Sequence, residues 1–225
     1  MRRALVIMSR VPKPGRTKTR LMNKLTGQEC VKIHTACLEE ICEAASELEL
    51  ERYIYYTGGR PGDFDGVDLS GFTMRRQTGK DLGQRLSNAA QKILTIHDRL
   101  LFIGADVPGV TSGLLLEAFG KLSEYDVVIG PALDGGYYLV GMKQHHDEIF
   151  QSIPWGTGEV YESTIHALKC NGLSHFALGT RQDIDTWEDI INYYNRSVNK
   201  SIQTRTVKAI AEVLQRFYPD REGTS

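Results

Sequence analysis

One carboxylate, Asp106, ends an apolar run, Leu100-Leu101-Phe102-Ile103-Gly104-Ala105-Asp106, and is followed at once by Val107-Pro108-Gly109. Apolar residues that stop at Gly and Pro read as a buried strand delivering one acid to its carboxyl edge. Ligands of open α/β sheets bind at that edge. A carboxylate placed there needs a cation or a hydrogen-bond donor beside it. Five cationic side chains, Arg10, Lys13, Arg16, Lys18 and Arg20, fall within eleven positions directly after the first apolar segment. Lys and Arg beside backbone N–H groups suit phosphate. A solvated basic loop is the plain alternative. The segment lacks the spacing of a Walker loop and of a dinucleotide fingerprint. Together, an acid and a basic loop at one sheet edge point to a diphosphate neutralised by Mg2+ or Mn2+, ions that accept one or two carboxylates plus phosphate oxygens.

Three further segments hold candidate residues. Gln77 to Leu86 places Gly79 and Gly83 around Asp81, an ordinary helix cap that could also line a base or ribose pocket. Asp134, in Leu133-Asp134-Gly135-Gly136-Tyr137-Tyr138, has the form of a turn but follows the Val127-Val128-Ile129 run, again at a carboxyl edge. Asp185, in Asp183-Ile184-Asp185-Thr186-Trp187, reads as the start of a helix with an acidic first turn, and as the partner of Asp106 around a metal. Trp155, in a Pro- and Gly-rich loop, reads as exposed, able to pack on a sugar or base or to cover the core.

The elements that must hold these residues alternate. Strands are expected at Ala4–Ser9, Tyr53–Tyr56, Phe72–Arg76, Leu100–Ile103, Asp126–Ile129, Tyr137–Met142 and His175–Leu178. Helices are expected at Thr17–Leu25 (capped by Thr17), Gly27–Leu48, Asp81–Ile96, Thr111–Leu122, Gly158–Cys170, Thr186–Asn195 and Gln203–Phe217. A polar connector is expected from Asn195 to Gln203 and a mobile tail from Pro219 to Ser225. This alternation predicts an α/β fold, three layers α/β/α around a mostly parallel sheet, mixed because Tyr137–Met142 follows a Gly-Gly turn. One domain over 1–225 accommodates it. The last helix has its own domain or a neighbouring subunit to pack on, which leaves oligomer formation open.

At 225 residues, 24% charged and 41% hydrophobic, composition is that of an ordinary soluble domain. A net charge of -1 provides no field for nucleic acid or an anionic membrane. No apolar run approaches a membrane span, and the short N-terminal one is a first strand rather than a signal peptide. The four cysteines, Cys30, Cys37, Cys42 and Cys170, form no Cys-x-x-Cys pair, and three fit one helical pattern, which favours burial and reduced, cytoplasmic residence.

The order Lys13-Pro14-Gly15-x-x-Lys18-Thr19-Arg20-Leu21, Gly104-x-Asp106-x-Pro108, Gly130-Pro131-x-x-Asp134-Gly135-Gly136-Tyr137-Tyr138, Trp155-x-Thr157 and Asp183-x-Asp185-Thr186-Trp187 resembles the bacterial "transferase 1" glycosyltransferase-like proteins. These are similar to nucleotide-diphospho-sugar transferases of the glycosyltransferase-A fold, and to nucleotidyltransferases such as 2-phospholactate guanylyltransferase and the molybdenum-cofactor guanylyltransferases. The resemblance runs from Leu5 to Ile190 and is silent on Gln203 to Ser225. It implies phosphate binding by Lys13 and Lys18, with Arg16 and Arg20 beside them, metal binding by Asp106 and Asp185, and nucleotide contacts from Gly79, Asp81 and Gly83. Asp134 would act on the acceptor, in a substrate region shared with Tyr137 and Trp155. Two motifs depart from these relatives. Met8-Ser9-Arg10-Val11-Pro12 stands where the molybdenum-cofactor type has Leu-Ala-Gly-Gly. Asp106 stands between Ala105 and Val107 instead of in an Asp-x-Asp pair. The expected partners are a nucleotide-sugar or a nucleoside triphosphate and a small acceptor, with glycosyl transfer first, nucleotidyl transfer second, and nucleotide binding without catalysis third.

Overall fold

The computed structural model describes residues 1–218; the tail expected at Pro219–Ser225 lies outside them. Seven strands form one sheet: β1 (Arg3–Arg10), β2 (Glu51–Thr57), β3 (Phe72–Arg76), β4 (Arg99–Gly104), β5 (Val127–Pro131), β6 (Tyr137–Met142) and β7 (His175–Ala177). Their order is β3-β2-β1-β4-β6-β5-β7. All neighbours are parallel except β6, which runs antiparallel to both β4 and β5. The Gly-Gly turn before Tyr137 thus produces the one reversed strand that was expected.

Strands β1 and β4 are buried almost continuously because helices cover both faces of the sheet. Helices α1 (Gly27–Ser46) and α3 (Ser112–Lys121) pack one face around Leu5, Ile7, Leu38, Leu101 and Phe119. Helices α2 (Leu82–Ile93) and α4 (Val160–Cys170) pack the other around Val6, Leu86, Phe102 and Leu168. Helices α5 (Trp187–Asn199) and α6 (Arg205–Leu214) close over the outer side of α1, where Ile33, Cys37, Ile190 and Ile210 meet. The last helix therefore packs on its own domain.

Two sequence expectations change. Thr17–Leu25 is not an α-helix; only Thr19–Asn23 makes a short 3-10 turn. Thr17 does not cap it. Its hydroxyl accepts from Lys13 N at 3.0 Å and donates to Val11 O at 3.2 Å, folding the basic loop on itself. Lys18 then takes a left-handed conformation, φ 48°, which interrupts any helix at that point. The polar segment from Asn195 is also not a connector as far as Asn199, since α5 continues through it with Ser197 buried. Among the described residues no helix is long and apolar enough to cross a membrane. Cys30, Cys37 and Cys42 are buried in α1, and burial pushes the Cys37 thiol up to about 12, so it stays protonated.

Candidate functional site

Strand β1 pairs with β2 on one side and β4 on the other, so the chain leaves β1 in one direction and returns at β4 in the other. That reversal opens a crevice at the carboxyl ends of the two strands. A cleft of about 520 Å³ lies there, lined by the end of β1, the basic loop, Gln77, Arg85, Asp106 and Asp185.

Lys18 is its centre. The side chain is 2% exposed, and its ammonium donates to Asp106 Oδ1 at 2.6 Å and to the Ile184 carbonyl at 2.5 Å. Asp185 Oδ1 lies 4.0 Å away. The backbone ties the two acidic segments together, Ile184 N donating to Asp106 O at 3.1 Å. Residues 18, 106 and 184–185 thus form one clasp. Burial would lower the ammonium's pKa, but Asp106, with Asp185, more than offsets this and holds it above the ordinary lysine value. Burial likewise acts to raise Asp106, and the Lys18 charge overrides it, with His34, so the carboxyl sits well below its usual range. His34 Nδ1 is 3.3 Å from Asp106 Oδ1, while its Nε2 reaches Ser9 Oγ and Arg10 O, both at 3.2 Å.

The donor set suits a hard cation. Both carboxylates are open to the cleft, at 48% for Asp106 and 40% for Asp185. Lys18 engages one oxygen of Asp106 and stands 4.0 Å from Asp185, which leaves carboxylate oxygens free, the ligands that Mg2+ and Mn2+ take. Among the described residues no group of three or more His, Cys, Asp or Glu side chains is arranged to hold a metal, so waters and substrate phosphates would complete the shell.

Arg16 and Arg20 line the same cleft, Arg20 with its guanidinium 3.9 Å from Asp185 Oδ2. Lys13 does not. It pairs with Asp63 at 2.7 Å in a separate hollow. Asp81 caps α2, accepting from Gln84 N at 2.8 Å. Gly79, at φ 142°, packs against the backbone of Gln84 and Arg85. Gly83 gives way to another element, because a Cβ there would land on Phe150 O and Trp155 Nε1. Trp155 is therefore half-buried rather than exposed. It donates to Phe150 O at 3.3 Å and stands edge-on to Tyr137, ring centres 6.0 Å apart, against the α2/α4 face of the sheet. Tyr137 and Trp155 pack on each other outside the cleft. Gly83→Ala is expected to lose about 1–2 kcal/mol, overpacking outweighing the helix-propensity gain. Urea unfolding and a shift in Trp155 fluorescence would register it; unchanged values would show that the loop yields freely.

Asp134 is exposed at its turn, its Oδ1 accepting from Gly136 N at 2.8 Å. Burial first, then the Asp106 charge, and least of all Asp134 raise the Asp185 carboxyl. Asp183, unassigned from sequence, is pushed up to about 6 by burial first and then by Asp134 and Asp185. A raised folded pKa means the fold favours the protonated acid. That stability is complete below the unfolded value near ~3.9 and is lost as pH rises through about 6. Asp183→Asn is expected to be more stable than wild type by about 1–2 kcal/mol at pH 8, and equal to it at pH 4. Melts in chelator at the two pH values test this; an equal difference at both would disprove the linkage.

His34 and Asp183 are the site residues that sequence reasoning missed. His34 sits among the apolar positions of α1, so a polar residue on a buried stripe is the one signal it gave.

The chain belongs to the family described as "Uncharacterized protein conserved in bacteria (DUF2064)", matched over residues 40–157, just over half its length. No curated protein matches it. Among solved structures it is similar to a protein from Desulfovibrio desulfuricans G20 provisionally named a nucleotide-diphospho-sugar transferase, at 28% identity and TM-score 0.89, covering 97% of this chain and 99% of that one. It shares its fold with a cytidylyltransferase from Leptospira borgpetersenii serovar Hardjo-bovis at 14% identity and TM-score 0.54, over 100% and 98% of the two chains. The same holds for glucosyl-3-phosphoglycerate synthase from Mycobacterium tuberculosis, solved with Mn2+, UDP and phosphoglyceric acid, at 13% identity and TM-score 0.53, over 91% and 78%. The fold is that of the nucleotide-diphospho-sugar transferases.

Proposed function

We propose that this protein is a transferase acting on a nucleotide-activated donor, and that it moves a sugar from a nucleoside-diphosphate sugar to a small acceptor. The observation behind this reading is the clasp of Lys18, Asp106 and Asp185 at the switch point between β1 and β4. Two of the three N–H groups of Lys18 are used by Asp106 and Ile184, which leaves one donor for a phosphate oxygen. Arg16 and Arg20 add positive charge along the cleft. Asp106 and Asp185 would hold Mg2+ or Mn2+, which when bound offsets charge developing on the leaving diphosphate. Gly79 and Asp81, just ahead of α2, would border the nucleoside, whereas Gly83 is covered by Trp155. Asp134 would orient or deprotonate the acceptor hydroxyl.

Nucleotidyl transfer with release of pyrophosphate is the second reading, supported by the full-length fold likeness to a cytidylyltransferase. Incubation with Mg2+ or Mn2+ and panels of sugar nucleotides and nucleoside triphosphates separates the two. Free nucleoside diphosphate supports the first and pyrophosphate the second. Binding of either nucleotide class without turnover would overturn both in favour of a binding protein.

A further inference from the structure

Lys13 leads away from the cleft into a second hollow of about 580 Å³, bounded by the basic loop, the Gly58–Asp63 segment and the end of β3. Four cationic side chains meet there: Lys13, Arg16, Arg60 and Arg76. One carboxylate, Asp63, accompanies them, and it already holds Lys13 at 2.7 Å and the Arg60 N–H at 2.8 Å. Among the described residues none of the three arginines forms an ion pair. In a chain of net charge -1 such a concentration is local. Like charges drawn together from three elements repel unless an anion joins them. Gly59 lets the loop close on itself: a Cβ there would meet Asp63 Oδ2 at 2.7 Å and Val11 Cγ2 at 3.0 Å. Arg16 lines both this hollow and the nucleotide cleft, so the two are neighbours with one side chain between them.

We infer that this hollow is an anion subsite, taking a phosphate or carboxylate group that lies beyond the diphosphate held by Lys18. Guanidinium groups bind such oxygens in pairs, and Arg60 and Arg76 supply two forks unengaged by carboxylate. The group belongs either to a phosphorylated or carboxylated acceptor or to the terminal phosphate of a nucleoside triphosphate. Its place on a substrate rests on the transferase reading; its affinity for anions does not.

The test is calorimetric titration of the whole protein with inorganic pyrophosphate, nucleoside diphosphates and triphosphates, and 3-phosphoglycerate. Arg60→Gln/Arg76→Gln is compared with Lys92→Gln/Lys169→Gln, which removes the same charge from exposed helix positions. The first pair should weaken pyrophosphate at least about tenfold and nucleoside diphosphate less than about twofold, with the control pair near wild type. Loss of the preference for triphosphate over diphosphate identifies the terminal phosphate as occupant. Loss of 3-phosphoglycerate binding identifies the acceptor. Pyrophosphate bound by wild type while every nucleotide is ignored would refute the proposed function and leave the subsite standing. Equal pyrophosphate affinity in both double variants overturns the subsite.

Discussion

Asp106→Ala is expected to abolish nucleotide binding in Mg2+ or Mn2+ and to lower stability by about 2–3 kcal/mol, leaving the protein folded. Removing one partner of a buried pair costs about 3–5 kcal/mol, because the other charge stays in place without its counterion. Lys18 is that charge: it is 2% exposed and would retain the Ile184 carbonyl and Asp185 at 4.0 Å. The half-open Asp106 side chain and the nearby Asp185 reduce the loss. At about 2–4 °C per kcal/mol for a chain of this size, Tm should fall by roughly 4–12 °C. Lys18→Met removes the buried charge itself and leaves Asp106 to water and His34. It should therefore lose less stability than Asp106→Ala, yet weaken nucleotide binding at least about a hundredfold. The depressed Asp106 pKa fixes the pH dependence. The pair's contribution is present above the unfolded carboxyl value near ~3.9 and fades as pH falls through the lower folded value, so the gap between wild type and Asp106→Ala closes in acid. Nucleotide bound normally by Asp106→Ala in metal would place the site elsewhere.

The scaffold was readable because its signals are local. The apolar run before Asp106 has no polar interruption and stops at Gly and Pro, so it reads as a short buried strand, and β4 is that strand. Asp81, Thr111 and Thr186 each cap a helix near where a short polar side chain precedes an apolar repeat. What could not be read depends on partners distant in the chain. Lys13 and Lys18 look equivalent in a basic loop. The turn that directs both Arg16 N and Thr17 N to Lys13 O separates them, one into the clasp and the other to Asp63. The Leu21 and Leu25 spacing fits an α-helix, and the left-handed Lys18 overrules it. Trp155 in a loop of Pro and Gly reads as exposed until Gly83, seventy-two residues earlier, is seen to make room for its ring. His34 acquires its meaning from Asp106, seventy-two residues later. The pairing of Asp106 with Asp185 was legible in outline, as one acid at a carboxyl edge and one at a helix start; that a lysine would hold them together was not.

Glu40→Ala is the other substitution with a large expected effect, and it links the last helix to the site. Glu40 lies on α1 at 7% exposure. One carboxylate oxygen accepts from Gly109 N at 2.7 Å, in the loop that begins at Asp106, and the other from Thr206 N at 2.6 Å, in the first turn of α6. A buried acid thus ties the segment absent from the resemblance, beyond residue 203, to the loop that carries the central carboxylate. Hydrogen bonds to a charged acceptor are worth about 1.5–3 kcal/mol each, and alanine leaves two N–H groups without a partner, so a loss of about 3–5 kcal/mol is expected. Tm should fall by about 10 °C or more. Glu40→Gln separates hydrogen bonding from charge, since its amide can accept from one N–H but presents a donor to the other. It should lie between wild type and alanine. Arg181 also holds the Gly109 carbonyl, at 2.9 Å, so the loop should loosen without unfolding. Amide exchange should then accelerate at Gly109 and Thr206 in both variants, and nucleotide affinity should weaken with it because Asp106 loses its fixed position opposite Lys18. Faster exchange at Thr206 with Gly109 and nucleotide affinity unchanged would show that α6 is a lid on α1 alone, uncoupled from the cleft.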